Sequence, residues 1–167
     1  MKMGMEMGIA DTTATALAAH EITLSRVLPA RRELVFSAWT DPVHLVRWWG
    51  PHEFTVQSCA MDVRAGGQWR ICIRSPEGED YWMHGVYHEI SAPEKLVFSF
   101  QWDKDGKPRV EMTVTVTLAE APGGRTLLTF HESGFADAEM REMDNGGWTQ
   151  CLERLESYAA EIAGDKK

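Results

Sequence analysis

The sequence predicts an α+β fold: a curved antiparallel sheet of about six to seven strands around one long C-terminal helix, with two short helices after strand one. Three observations carry that prediction. Trp148, Leu152, Leu155, Ala159 and Ile162 recur at steps of four, three, four and three, one stripe of an amphipathic helix. Between residues 21 and 133, short alternating segments follow one another across tight turns, the pattern of an antiparallel meander. Each segment carries one strongly apolar face, so the sheet is covered on one side only, and the C-terminal helix is the natural cover.

The elements follow in order. Residues 21–28 (EITLSRVL) alternate as a first strand, and Pro29 ends it. Residues 30–39 read as a helix with Leu34, Val35, Ala38 and Trp39 on one side. Thr40-Asp41-Pro42 restarts it, a cap followed by proline at the first position, and the short second helix covers residues 42–47. It runs into Trp48-Trp49-Gly50-Pro51, where the Gly-Pro pair leaves both tryptophans at a helix end. Residues 53–59 form a strand with Phe54, Val56 and Ser58 on one face, and residues 64–67 turn. Residues 68–74 alternate strictly, with Trp69, Ile71 and Ile73 on one face. Residues 76–79 make a hairpin turn. The strand at 80–90 leaves its inward parity open, because Trp82 and Met83 compete and Gly85 marks a candidate bulge.

Residues 96–102 place Leu96, Phe98, Phe100 and Trp102 on one face, and residues 103–107 turn. Residues 110–118 alternate most cleanly: Val110, Met112, Val114, Val116 and Leu118 face one way. Residues 126–132 return with Leu128 and Phe130 inward. Residues 136–143 read as a loop with one helical turn. The long helix then covers residues 146–162, capped by Asp144 or Asn145 and stopped near Gly164.

At 167 residues the chain reads as one domain over 21–163, with a loosely ordered leader at 1–20, a short helix within it at 12–20, and a tail at 164–167. A net charge of −8 and a pI of about 5.2 argue against a nucleic-acid partner. Cys59, Cys72 and Cys151 are odd in number and scattered, which suits a reducing compartment and a cytoplasmic location. The first twenty residues lack the apolar core of a signal peptide, and no apolar stretch is long enough for membrane insertion.

Five short motifs narrow the fold. They are Ala38-Trp39-Thr40-Asp41-Pro42 leading into Trp48-Trp49-Gly50-Pro51; Ala65-Gly66-Gly67-Gln68-Trp69; the run EISAPEKLVF at 89–98; Ser133-Gly134-Phe135; and Gly147-Trp148 with Leu152 and Leu155. In this order, over about residues 21–163, they resemble the family named after the C-terminal domain of the heat-shock protein 90 ATPase activator. That family belongs to the START-like (SRPBCC) superfamily, whose helix-grip fold the resemblance implies. The eukaryotic activator stimulates its chaperone largely through a separate N-terminal domain, so the resemblance does not carry that activity to this chain. Single-domain members resemble binders of small ligands.

The functional signal is an apolar, aromatic-rich concavity between sheet and helix. Seven tryptophans are many for this length, and two of them sit beside the Gly-Pro break where a mouth can open. The candidate ligand-binding residues are Trp48, Trp49, Phe54, Trp69, Ile71, Phe98, Phe100, Trp102, Met112, Val114, Phe130, Glu132, Trp148, Leu152 and Leu155. The bland alternative is that they are simply core. Glu132 continues the inward parity of Leu128 and Phe130, toward the cavity mouth or an arginine at the rim. Glu132 and Tyr87 are the candidates for acid–base chemistry. Arg64, Arg70, Tyr81 and His84 are open in direction.

No metal site or cofactor is expected. His84 and His88 are four apart on a strand, roughly 13 Å at ~3.3 Å per residue. Asp103-Lys104-Asp105-Gly106 starts like a calcium loop, but its glycine is misplaced and Val114 stands where a bidentate glutamate belongs. Protease, hydrolase and nucleotide motifs are absent, and Cys151 reads as a packing residue. The preferred reading is a non-catalytic binder of a small hydrophobic molecule. The alternatives are a polyketide cyclase or aromatase-like enzyme using the same cavity, and a protein-interaction module with chaperone contact. A homodimer is left open.

Overall fold

The computed structural model describes residues 20–103 and 110–165. The expected leader helix at 12–20 and the turn at 103–107 lie almost wholly outside the described residues. Seven strands form one antiparallel sheet: β1 (Glu21–Leu28), β2 (Thr55–Met61), β3 (Gln68–Arg74), β4 (Asp80–Ser91), β5 (Lys95–Trp102), β6 (Met112–Ala121) and β7 (Arg125–Ser133). Their spatial order is β1-β7-β6-β5-β4-β3-β2. From β2 to β7 each strand lies beside its predecessor. β1 closes against the last strand, with Glu21 opposite Ser133 and Leu28 opposite Thr126. The helices are α1 (Arg32–Thr40), α2 (Pro42–Leu45) and α3 (Ala138–Asp165).

Helix α1 starts two residues later than its apolar pattern suggests. The Ala30 carbonyl accepts the Thr126 hydroxyl at 2.6 Å, and Arg31 is extended. The chain is thus tied to β7 before it can coil. The restart at Asp41 is as expected: its side chain accepts the Val43 amide at 3.0 Å, and Pro42 takes the first position. Helix α2 ends at Leu45, whose carbonyl receives the amides of both Trp48 and Trp49.

Helix α3 is longer than predicted. Its cap is Asp137, which accepts the Met140 amide at 2.9 Å; Asp144 and Asn145 lie inside the helix, and the helix runs through Gly164 to Asp165. Asp, Asn and Gly are poor helix formers, so the run DNGG at 144–147 looks like a boundary. Packing overrides that preference, with Met140 seated on the core and Trp148 buried within it. A Cβ at Gly146 would meet nothing within 4 Å among the described residues. Gly146→Ala is therefore expected to raise stability by about 0.5–1 kcal/mol in chemical denaturation. A lower midpoint would show that this turn is not helical in solution.

One face of the sheet carries the core. Trp69, Ile71, Met83, Phe98, Phe100, Met112, Val114, Val116, Leu128 and Phe130 are all buried, and Leu152, Leu155, Ala159 and Ile162 of α3 supply the expected stripe above them. The open parity of β4 resolves toward Met83 and Tyr87, both buried. Trp82 lies on the other face with the Arg70 guanidinium 4.0 Å from its ring centre. Gly85 is not the bulge; the register shifts between Tyr87 and Glu89. A Cβ at Gly85 would lie 1.8 Å from the Ser99 carbonyl oxygen, so a close backbone approach requires glycine there. On β2 the simple alternation fails. A register shift between Val56 and Ser58 leaves Ser58 exposed and turns Cys59 and Met61 toward the core.

Candidate functional site

A cavity of about 600 Å³ lies between the first half of α3 and one end of the sheet. Ile73, Tyr81, Met83, Phe100 and Trp102 form its sheet wall. Trp49, Gly50, Pro51 and Phe54 form its side. Met140, Met143, Asp144, Gly147, Trp148 and Cys151 face it from α3, with Val110, Asp137 and Glu139 also on its border.

The side wall is pinned by the helix it faces. Arg154 donates from one guanidinium nitrogen to the carbonyls of Trp49, Gly50 and Pro51, at 3.3, 3.0 and 3.0 Å. The Gly50 amide donates to Cys151 Sγ at 3.3 Å, and the Gly50 φ of 105° is one that favours glycine. The Trp49 indole N–H donates to Met83 Sδ at 3.3 Å. These bonds fix Trp49 as a partition. Beyond it lies a second hollow of only about 10 Å³, bounded by Trp39, Leu45, Trp69, Ile71, Tyr87, Leu96 and Phe98. That is no more than a single water would need.

Of the candidate ligand-binding residues, the structure brings Trp49, Phe54, Phe100, Trp102 and Trp148 to the cavity. Trp69, Ile71 and Phe98 border the small hollow instead. Trp48, Met112, Val114, Phe130, Leu152 and Leu155 are packed core and do not line the cavity. The Trp48 indole N–H donates to the Ala38 carbonyl at 3.0 Å, which turns that ring inward. Parity along a strand tells which face a side chain takes but not which end of the face stays hollow. Here α1 and α2 fill one end with Trp39 and Leu45. The lining residues missed by sequence are Gly50, Pro51, Ile73, Tyr81, Met83 and Val110 on the side and sheet walls, and Asp137, Glu139, Met140, Met143, Asp144, Gly147 and Cys151 at the start of α3. Asp137, Asp144, Gly147 and Cys151 recur at helical spacing, a signal hidden by reading 136–143 as loop.

The other polar candidates divide plainly. Arg64 pairs with Asp62 at the surface. Arg70 and His84 both bond Asp103 on the outer face. Tyr81 lines the cavity and donates to Glu79 at 2.8 Å. Tyr87 is buried against Phe98, and burial raises its phenol above the ordinary range.

Glu132 is fully buried, not at a rim, and it faces a second carboxyl rather than an arginine. Its neighbours are the Asp144 carboxyl and the Trp148 indole. Burial first, and the Asp144 carboxyl second, hold Glu132 well above the usual carboxylate range. Asp144 lines the cavity and Glu132 stands behind it. Neither Glu132 nor Tyr87 is a wall residue, so neither directly faces a molecule held there. Cys151 is a wall residue, but burial pushes its thiol up to about 12, which withholds the nucleophilic thiolate at neutral pH. Among the described residues no group of three or more His, Cys, Asp or Glu is arranged to hold a metal ion. No helix among them is long and apolar enough to cross a membrane.

A curved meander with a long helix across its apolar face defines a helix-grip protein of the START-like superfamily. The chain belongs to the family of Activator of Hsp90 ATPase homolog 1-like proteins, whose sequence profile matches residues 29–160. It is similar to a crystallised protein of Chromobacterium violaceum, at 31% identity and a TM-score of 0.74, over 86% of this chain and 97% of that one. An AHSA1 protein of Silicibacter pomeroyi is 27% identical with a TM-score of 0.73, over 87% and 99%. A protein of Nitrosomonas europaea, 21% identical over 86% and 96%, shares the fold at a TM-score of 0.73. No curated protein matches the chain.

Proposed function

We propose that the protein binds a small hydrophobic molecule in the cavity between the sheet and α3. The observation that carries this reading is a hollow of about 600 Å³ walled by Trp49, Phe54, Phe100, Trp102, Met140 and Trp148. Ligand sites commonly have volumes of about 300–1,000 Å³ and mostly apolar walls with a few placed polar groups. The methionines suit an adaptable wall. The family resemblance points the same way.

Gly147 gives the test. It lines the cavity, and among the described residues a Cβ there would meet only Pro51 Cγ, at 3.9 Å. Gly147→Leu adds a good helix former whose side chain extends into the hollow. The wild type, purified without denaturant, is expected to release a bound organic molecule in native mass spectrometry. The Gly147→Leu variant is expected to fold and to carry none. Equal retention by both would remove this cavity as the binding site, and a wild type that never holds a ligand would remove the function.

A further inference from the structure

One side chain separates the two hollows. Among the described residues Trp49 alone borders both the cavity of about 600 Å³ and the small hollow of about 10 Å³. On the cavity side its ring meets Trp148 edge to face, with centres 5.2 Å apart, and its N–H donates to Met83 Sδ at 3.3 Å. On the other side it meets Trp69 at 5.8 Å and Trp39 at 6.3 Å, again edge to face. The backbone is held as well as the ring. The Trp49 amide donates to the Leu45 carbonyl at 3.1 Å, and the Trp49 carbonyl accepts Arg154 at 3.3 Å. The small hollow is far too tight to receive an indole, so the ring cannot swing into it without displacing packed core. Around that hollow the groove is apolar, with Leu45, Ile71, Leu96 and Phe98 on its walls.

We infer that Trp49 is the specificity-determining residue of the cavity: its ring ends the space open to a ligand, so the site takes a compact apolar body and not a long acyl or alkyl chain laid along the groove. The inference rests on the cavity being a ligand site. Two physical arguments support it. Burying one methylene strengthens binding about fourfold, so a chain gains with length only while there is hollow left to enter. A tail that has reached a fixed ring gains nothing more. Forcing the ring over would break its edge-to-face contacts and strip a buried N–H of its partner, both of which work against the longer chain. An extended lipid needs the far end of the groove, and Trp39, Leu45, Trp69 and Phe98 already fill it. The remainder of such a chain would be left in water at the mouth.

The test uses hexyl, octyl, decyl and dodecyl maltoside, whose sugar stays in water and whose tail points inward. Each is titrated into the full-length protein by isothermal calorimetry, below its micelle-forming concentration. In the wild type, affinity is expected to climb by about fourfold per methylene and then level off before the dodecyl tail. In Trp49→Leu the two hollows join, and the climb is expected to continue to a longer tail, with dodecyl maltoside bound about tenfold or more tighter than by the wild type. Trp49→Phe keeps a ring for the edge-to-face contacts, and should move the break in the same direction by less. The readout is the position of the break, which a general loosening of the core would not shift. A wild-type affinity that climbs unbroken to the dodecyl tail would overturn the inference without any variant. So would a break that stays put in Trp49→Leu and Trp49→Phe, or a gain spread equally over all tails; either result leaves the cavity a hydrophobic site. If no tail binds to the wild type or to either variant, the inference fails. If in addition no molecule is carried through purification, the cavity reading fails with it.

Discussion

Trp148→Ala is expected to cost about 3–5 kcal/mol of folding stability, the range for truncating a large buried aromatic. The ring sits where α3 meets the sheet. Its centre lies 4.4 Å from Phe130, 5.2 Å from Trp49, 6.0 Å from Phe100 and 6.3 Å from Trp39. Several of these are edge-to-face or tilted pairs, which add to the area they bury. The hole left behind would join the existing cavity, so the surroundings cannot close it cheaply. A typical domain has only about 5–15 kcal/mol in hand, so the variant loses a large share. Urea denaturation reads the loss, and Trp148→Phe should lose distinctly less because the stack survives. An alanine penalty below about 1.5 kcal/mol, ordinary for any residue, would mean that this ring does not organise the core.

Glu132→Gln is expected to stabilise the protein at pH 8 by about 1–3 kcal/mol, the linkage cost of a raised carboxyl pKa at about 1.4 kcal/mol per unit. The sign follows from linkage. Burial and the Asp144 carboxyl raise the folded-state pKa of Glu132 above its unfolded value. The native state therefore binds this proton more tightly than the unfolded chain. Its contribution is fully present below the unfolded glutamate value near ~4.3 and is lost as pH rises through the folded one. Glutamine does not titrate, and its amide can donate to Asp144. The gap between variant and wild type should widen from pH 4 to pH 8. A gap that stays flat across that range would show that Glu132 is not held protonated by its surroundings.

Much of this fold is legible in the sequence because one face of each strand is buried. The alternation from Met112 to Leu118 assigns β6 directly, since every second side chain must leave water. The inward turn of Glu132 is legible from Leu128 and Phe130 by the same rule, whereas its partner is not. Asp144 lies on an element whose first turns look like loop. Local preference fails there because α3 gains more from packing than DNGG loses as helix. The bulge in β2 fails differently: one extra residue inverts the pattern, and nothing in the residues before it announces the change. The cavity walls are legible only as a set. Aromatic residues are fit both to line a hollow and to fill it, and the choice is made by α1 and α2, which occupy one end of the groove.

The pairing of β1 with β7 bears on how the protein comes into being on the ribosome. Glu21 emerges early, but its partner Ser133 is among the last strand residues made. The hairpins from β2 onward join neighbours and can close as they appear, whereas β1 must wait, its edge unpaired, until nearly all the chain is out. Protection of that waiting edge is a burden this topology places on the nascent chain rather than on the finished molecule.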